Sequence, residues 1–189
     1  MIRIKYKTFG LLSAAALAAM IAPAIANAAA NPMVGGAEML PMKNIVENAV
    51  NSQDHTTLVA AVKAADLVDT LSSVGPFTVF APTNAAFAKL PVGTVDTLLK
   101  PENKATLAKI LTYHVVAGTV TAADLIGMIK AGGGTATLTT VSGGKLTAAI
   151  MDGKVMLTDE KGGMATVTQA DVMQKNGVIH VTDAVSLPN

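Results

Sequence analysis

The sequence predicts an α+β domain in which helices come first, with one embedded strand pair, and an antiparallel strand set follows. Three observations lead to this reading. Between residues 43 and 132 apolar residues recur mostly at helical spacing. Beyond residue 132 the chain becomes a series of short β-type runs separated by Ser142-Gly143-Gly144, Asp152-Gly153 and Gly162-Gly163, which suit hairpin turns. Between these regimes, GPFTVFAPTNAAF at Gly75–Phe87 reads as a strand joined directly to a helix.

Asn31–Met42 mixes Pro, Gly and Met without periodicity and reads as a tether. Lys43–Val50 follows as a short helix with Ile45, Val46 and Ala49 on one side, broken by Asn51-Ser52-Gln53-Asp54. A longer helix is expected over His55–Leu71, with His55 solvated in its first turn. Gly75-Pro76 opens the strand Phe77–Phe80, whose aromatic and β-branched residues fit a pleated surface. Pro82 ends it because proline cannot donate to a ladder. Thr83 is placed to cap the helix Asn84–Leu90, and Pro91 closes that helix. A helical turn or two at Thr94–Leu99 precedes a helix opened by Pro101, with Leu107, Ile110 and Leu111 inward. Thr112–Val116 changes period from helix to strand. Thr121 and Asp124 form a capping pair for a helix that ends at Gly132. The strand set is then Thr135–Val141, Lys145–Ile150, Lys154–Thr158, Met164–Thr168 and Val178–Asp183.

Composition narrows the function. Half of the 189 residues are hydrophobic, yet aromatics are 3% and Trp is absent, which argues against an aromatic-lined cofactor pocket and against sugar stacking. Without Cys there are no disulfides, thiolate metal sites or Cys nucleophiles. Arg3, Lys5 and Lys7 precede an apolar run at Phe9–Ile21 and small-residue cleavage patterns around Ala26. Residues 1–28 are therefore expected to be a cleaved secretory signal, leaving an extended arm at 29–43 and one domain at 44–188. The signal carries three of the 14 Lys+Arg and none of the 13 Asp+Glu, so the exported chain is slightly acidic and gives no case for nucleic acid. No second apolar run approaches the length of a membrane span.

Residues capable of chemistry are sparse. Met33, Met39 and Met42 offer thioethers suited to Cu(I), but no His or Cys lies near them in sequence, and packing of an apolar arm is the expected role. If the strands bearing them are neighbours, His114 and His180 can approach, although two His without a third ligand rarely hold zinc. Ser186, His180 and Asp183 lie within seven residues of one extended segment and cannot converge as a triad. Asp159, Glu160 and Asp171 read as turn residues and solubilising charges, and Asn176-Gly177 as a turn into the last strand.

GPFTVFAPTNAAF at Gly75–Phe87, Leu111-Thr112-Tyr113-His114, and NGVIHVTDAVSLP at Asn176–Pro188 together resemble the fasciclin domain. The first and last are similar to its two signature segments, the middle to its tyrosine–histidine motif. The resemblance spans about Asn44 to Pro188 and, with the signal, is to single-domain secreted bacterial members. It implies a wedge of β-sheets packed together under a layer of N-terminal-half helices, and cell adhesion or surface interaction in place of catalysis. In animal matrix members the tyrosine–histidine motif and an Asp-Ile motif before the last segment are implicated in adhesion. The matching positions here are Tyr113 and His114, and Asp171, Val172 and Met173 within Gln169–Met173. Ile becomes Val, and the acidic-proline start of the Asp-Ile motif is missing. The resemblance thus points to those five residues as partner-binding. The expected partner is a cell-surface or matrix protein or glycan, met in the periplasm or outside the cell by a monomer or weak homodimer. No cofactor or metal is expected. The alternative is an exported small-ligand or lipid-binding domain with a cleft between helices and sheet.

Overall fold

The computed structural model describes residues 31–189, so the expected signal lies outside the described residues. A small hairpin comes first, β1 (Met33–Val34) with β2 (Ala37–Glu38). Helices α1 (Ile45–Ala49), α2 (Thr56–Ala64) and α3 (Val68–Ser72) lead to strand β3 (Phe77–Pro82). Then come α4 (Asn84–Ala88), α5 (Thr94–Leu98), α6 (Lys104–Tyr113), β4 (Val115–Ala117) and α7 (Ala122–Ala131). The C-terminal part is β5 (Thr135–Thr139), β6 (Lys145–Met151), β7 (Lys154–Thr158), β8 (Met164–Gln174) and β9 (Gly177–Thr182).

The seven longer strands form a sheet in the order β4-β3-β9-β8-β7-β6-β5. All neighbours are antiparallel except β3 and β9, which run parallel from Phe77↔Gly177 to Pro82↔Thr182. An isolated bridge between Val116 and Thr140 links β4 to the end of β5, so the sheet curls until its two edges touch. The Val141 N–H donates to the Val115 carbonyl there at 2.7 Å. Closing the edges in this way removes unpaired backbone from solvent.

Strand β3 divides two cores because successive side chains point to opposite faces. Val79 and Ala81 face the helical layer, where they meet Leu58, Val62, Leu71, Leu107 and Leu111. Phe80 faces the inside of the curled sheet, with Leu125 and Ile129 of α7 and Leu146, Ala148 and Leu157. The Thr83 side chain accepts from the Ala86 N–H at 3.2 Å, and Thr121 with Asp124 forms a full capping box on α7, as their spacing predicts.

The structure departs from the sequence reading in four places. The helix expected over His55–Leu71 is broken into α2 and α3 by Asp66, held at φ +61°. Its carboxylate meets Lys104 at 3.1 Å. Thr112–Val116 is not one strand, since α6 continues through Tyr113 and β4 starts at Val115. His114 makes that junction by directing Nδ1 at the Ile110 carbonyl, 2.8 Å away. The Asn31–Met42 tether contains the β1–β2 hairpin, and Val34 and Met39 are buried against the helical core. Finally, β8 runs on to Gln174 through an irregular stretch where Asp171 adopts φ +56°.

One side chain ties these layers. Asn176 is buried at the entrance to β9. Its Oδ1 accepts from the Ile45 N–H at the start of α1 (3.0 Å), while Nδ2 donates to the carbonyls of Leu71 in the last turn of α3 and Ser73 just after it (2.8 and 2.9 Å). Gly177 follows at φ +155°, and any Cβ there would collide with the Phe77 carbonyl. Replacing Asn176 by Ala strands buried backbone groups on two helices. Each unsatisfied group costs roughly 1–3 kcal/mol, so Asn176→Ala is expected to lower the unfolding free energy by about 3 kcal/mol. Urea unfolding checks this, with the midpoint falling and the slope unchanged.

Candidate interaction surface

The tyrosine–histidine pair lies in the interior. Tyr113 is fully buried, and its hydroxyl donates to the Lys145 carbonyl at 2.6 Å and accepts from the Glu160 N–H at 3.2 Å. Gly144 makes room for it, since a Cβ there would stand 2.5 Å from the ring. Burial raises the pKa of the phenol above its ordinary value. His114 is equally enclosed, with Nδ1 donating to the Ile110 carbonyl and Nε2 accepting from the Ser186 N–H at 3.0 Å. The pair thus joins the end of α6 to β6, to the turn after β7 and to the C-terminal tail.

His180 lies on the other side of β3 from His114, so the two do not form the pair that neighbouring strands would have allowed. Its ring stacks on Phe80 with centroids 5.5 Å apart. Nε2 donates to the Val120 carbonyl at 2.8 Å and Nδ1 accepts from the Asp171 N–H at 3.3 Å. The Asp171 carboxylate receives the Ala122 N–H at 2.7 Å, at the N-terminus of α7. Asp159 is not a solubilising charge, because it is buried and accepts from the N–H groups of Lys161, Gly163 and Leu187 at 3.0, 2.7 and 2.8 Å. Nothing in the sequence pattern singled it out. The Asp159-Glu160-Lys161-Gly162-Gly163 turn, which needs an internal acceptor, is the cue that was available.

Of the five residues expected to meet a partner, Tyr113, His114 and Val172 are therefore inside, and Asp171 and Met173 reach the surface. The side chains of Tyr113, His114 and Val172 are spent on the core and cannot themselves touch a partner in this conformation. Met173 borders a groove of about 500 Å³ at the N-terminal ends of β3 and β9, lined also by Glu47, Val74, Pro76, Thr119 and Lys175. Val74 is 95% exposed and Met173 44% exposed, and both apolar side chains line this groove. Sequence reasoning missed Val74, whose place between Ser73 and Gly75-Pro76 marked it as a loop residue and nothing more. Among the described residues no group of three His, Cys, Asp or Glu is arranged to hold a metal ion, and no helix is long and apolar enough to cross a membrane.

Two measurements follow from the buried polar groups. Tyr113→Phe removes both hydroxyl bonds while keeping the ring, at an expected loss of about 1–2 kcal/mol in thermal or chemical unfolding. The three histidines, His55, His114 and His180, all have their pKa pushed below 6.5, with burial the largest cause in each. Below pH 6.5 the unfolded chain then binds protons that the folded chain resists. Stability should be full above that pH and fall on acidification toward the lower folded values, by up to about 1.4 kcal/mol per pH unit for each histidine. Unfolding curves between pH 7.5 and 5 check the sign, and the slope should lessen in His114→Gln.

Comparison with known proteins agrees with this architecture. The family model for the fasciclin domain matches residues 53–188. Protein sll1483 of Synechocystis is 57% identical over 144 residues, covering 76% of this chain and 73% of that protein. The cell surface glycolipoprotein MPB83 of Mycobacterium bovis is 32% identical, covering 87% of this chain and 64% of its own length. Among solved structures, the FAS1 domain pair of the insect cell adhesion molecule fasciclin I superposes with a TM-score of 0.69 at 19% identity, over 77% of this chain and 51% of that one. Sequence match and fold together place this chain in the fasciclin domain family.

Proposed function

We propose that this chain is an exported, non-catalytic interaction module that binds an extended protein segment in the groove beside Met173. The observation that carries the reading is a concave surface of about 500 Å³ to which two exposed apolar side chains, Val74 and Met173, both contribute. The polar residues of the family motifs, by contrast, are consumed by internal hydrogen bonds. Such bonds build a rigid support and leave binding to the side chains around it. The groove has no aromatic side chain on which a sugar ring could stack, which favours a protein partner over a glycan. Glu47 on one wall and Lys175 on another give it both signs of charge and a means of fixing orientation. The surface name of MPB83 is in keeping with a partner met at or beyond the cell envelope.

The lipid-binding alternative finds less support. An apolar cleft does lie between the helices and the sheet, lined by Ile45, Leu58, Val62, Leu71, Val79 and Leu111 among others. It encloses only about 40 Å³, the space of a water molecule or two and too little for an acyl chain.

Photo-crosslinking from position 119, which lines the same groove, in the exported protein tests the proposal. A protein adduct is expected, and Val74→Glu and Met173→Glu should reduce capture at least tenfold without moving the melting temperature. Met164→Glu, at another exposed methionine, should leave capture unchanged. Capture that is indifferent to Val74 and Met173 would rule the groove out.

A further inference from the structure

Asn176 is followed by Gly177, and of the chain's asparagines it alone precedes a glycine. That pair can react with itself. The Gly177 amide nitrogen can attack the side-chain carbonyl carbon of Asn176, Cγ, and glycine has no Cβ to hinder the approach. A bond forms between Gly177 N and Asn176 Cγ, the Cγ–Nδ2 bond breaks, and ammonia leaves with the proton of the Gly177 N–H. Water then opens the succinimide ring. Cleavage on the side-chain side gives Asp, and cleavage on the main-chain side gives isoaspartate. One amide and one water are consumed, and one acid and one ammonia are produced, with no oxidant, reductant or metal.

In the folded chain this carboxamide is not free to turn. Oδ1 accepts from the Ile45 N–H at 3.0 Å, and Nδ2 donates to the Leu71 and Ser73 carbonyls at 2.8 and 2.9 Å. The main chain is held as well. The Asn176 carbonyl takes the Phe77 N–H at 3.0 Å, and Gly177 stands opposite Phe77 at the first rung of the β3–β9 ladder. Ring closure needs the side chain and the peptide plane to rotate toward each other, which breaks these bonds together. Water is not what is lacking, because Asn176 and Gly177 both line the groove beside Met173. The protection is conformational.

From this arrangement we infer that Asn176 is a self-modification site gated by folding: it deamidates in the unfolded chain, is shielded in the folded one, and once converted bars the chain from the fold. Each product fails at a named contact. An Asp side chain carries acceptors only, so the Leu71 and Ser73 carbonyls lose their donors and face a carboxylate at a position only 8% exposed. Isoaspartate adds one carbon to the main chain immediately before the first β3–β9 rung. Residue 176 and Gly177 can then no longer both meet Phe77, and the register is lost. Gly177 leaves no slack to absorb the change, since even a Cβ there would collide with the Phe77 carbonyl. Ammonia does not return, so a chain that stays open is withdrawn from folding by its own chemistry.

The full exported chain is incubated at neutral pH in buffer and, in parallel, in guanidinium chloride above its unfolding midpoint. Peptide mass spectrometry follows conversion of amide to acid at position 176, and electron-transfer fragmentation separates Asp from isoaspartate. Conversion in denaturant is expected to be at least tenfold faster than in buffer. Gly177→Ala, compared in denaturant alone, where its misfit in the ladder is immaterial, should slow conversion at least tenfold. Chains aged in denaturant are then diluted into buffer, and the refolded fraction is separated from the rest by size exclusion. The refolded fraction should be at least tenfold depleted in Asp and isoaspartate at position 176 relative to the aged mixture. Equal conversion in buffer and denaturant, conversion in denaturant that is indifferent to Gly177→Ala, or converted chains that refold in proportion to their share would each overturn the assignment.

Discussion

The fold depends on the side chain of Asn176. A parallel strand pair cannot be closed by a short turn, so β3 and β9 must be brought into register by something else. Asn176 does so at the first residue of the pairing. Its carbonyl oxygen takes the Phe77 N–H at 3.0 Å, and its side chain takes up free backbone groups of α1 and of the turn after α3. Register, helix placement and the seam between two layers are thus fixed together. Gly177 then lets the two backbones approach closely enough for the ladder to begin.

The same use of buried polar groups recurs in the tyrosine–histidine motif, in the last signature segment and in the turn after β7. Tyr113, His114, Asp159 and His180 each join segments distant in sequence through bonds to backbone. Buried polar groups used this way specify one arrangement, because any other leaves a donor or acceptor unpaired in a low-dielectric interior. It follows that motif residues in this family need not be contact residues. A substitution at Tyr113 or His114 acts first on the packing that shapes the surface above them.

Local signals were legible from sequence where the cause was local. Thr83 and Pro82 bounded the strand–helix joint, and Thr121 with Asp124 announced α7, because caps and breakers act within a few residues. Where the cause was remote, the reading failed. Tyr113 looked like a strand residue because its partners, Lys145 and Glu160, lie 32 and 47 positions away. His55 looked solvated because the arm that buries it precedes it by a helix. Asp66, at φ +61°, gave little warning of a break, since neither Gly nor Pro marks it, although Asp enters the left-handed region more readily than most residues. The candidate surface was half legible: Met173 came from motif position, while Val74, on the loop before β3, joined it only through the groove that both line.

Pairing between residues 77–82 and 177–182 also governs when the molecule can exist at all. Strand β3 has no partner on its β9 side until the last strand has been made. A chain leaving the ribosome therefore carries its helices and β3 in an open, incomplete state for most of its synthesis, and contacts of such sequence separation form slowly once available. The closed sheet therefore cannot form before the C-terminal strand is present.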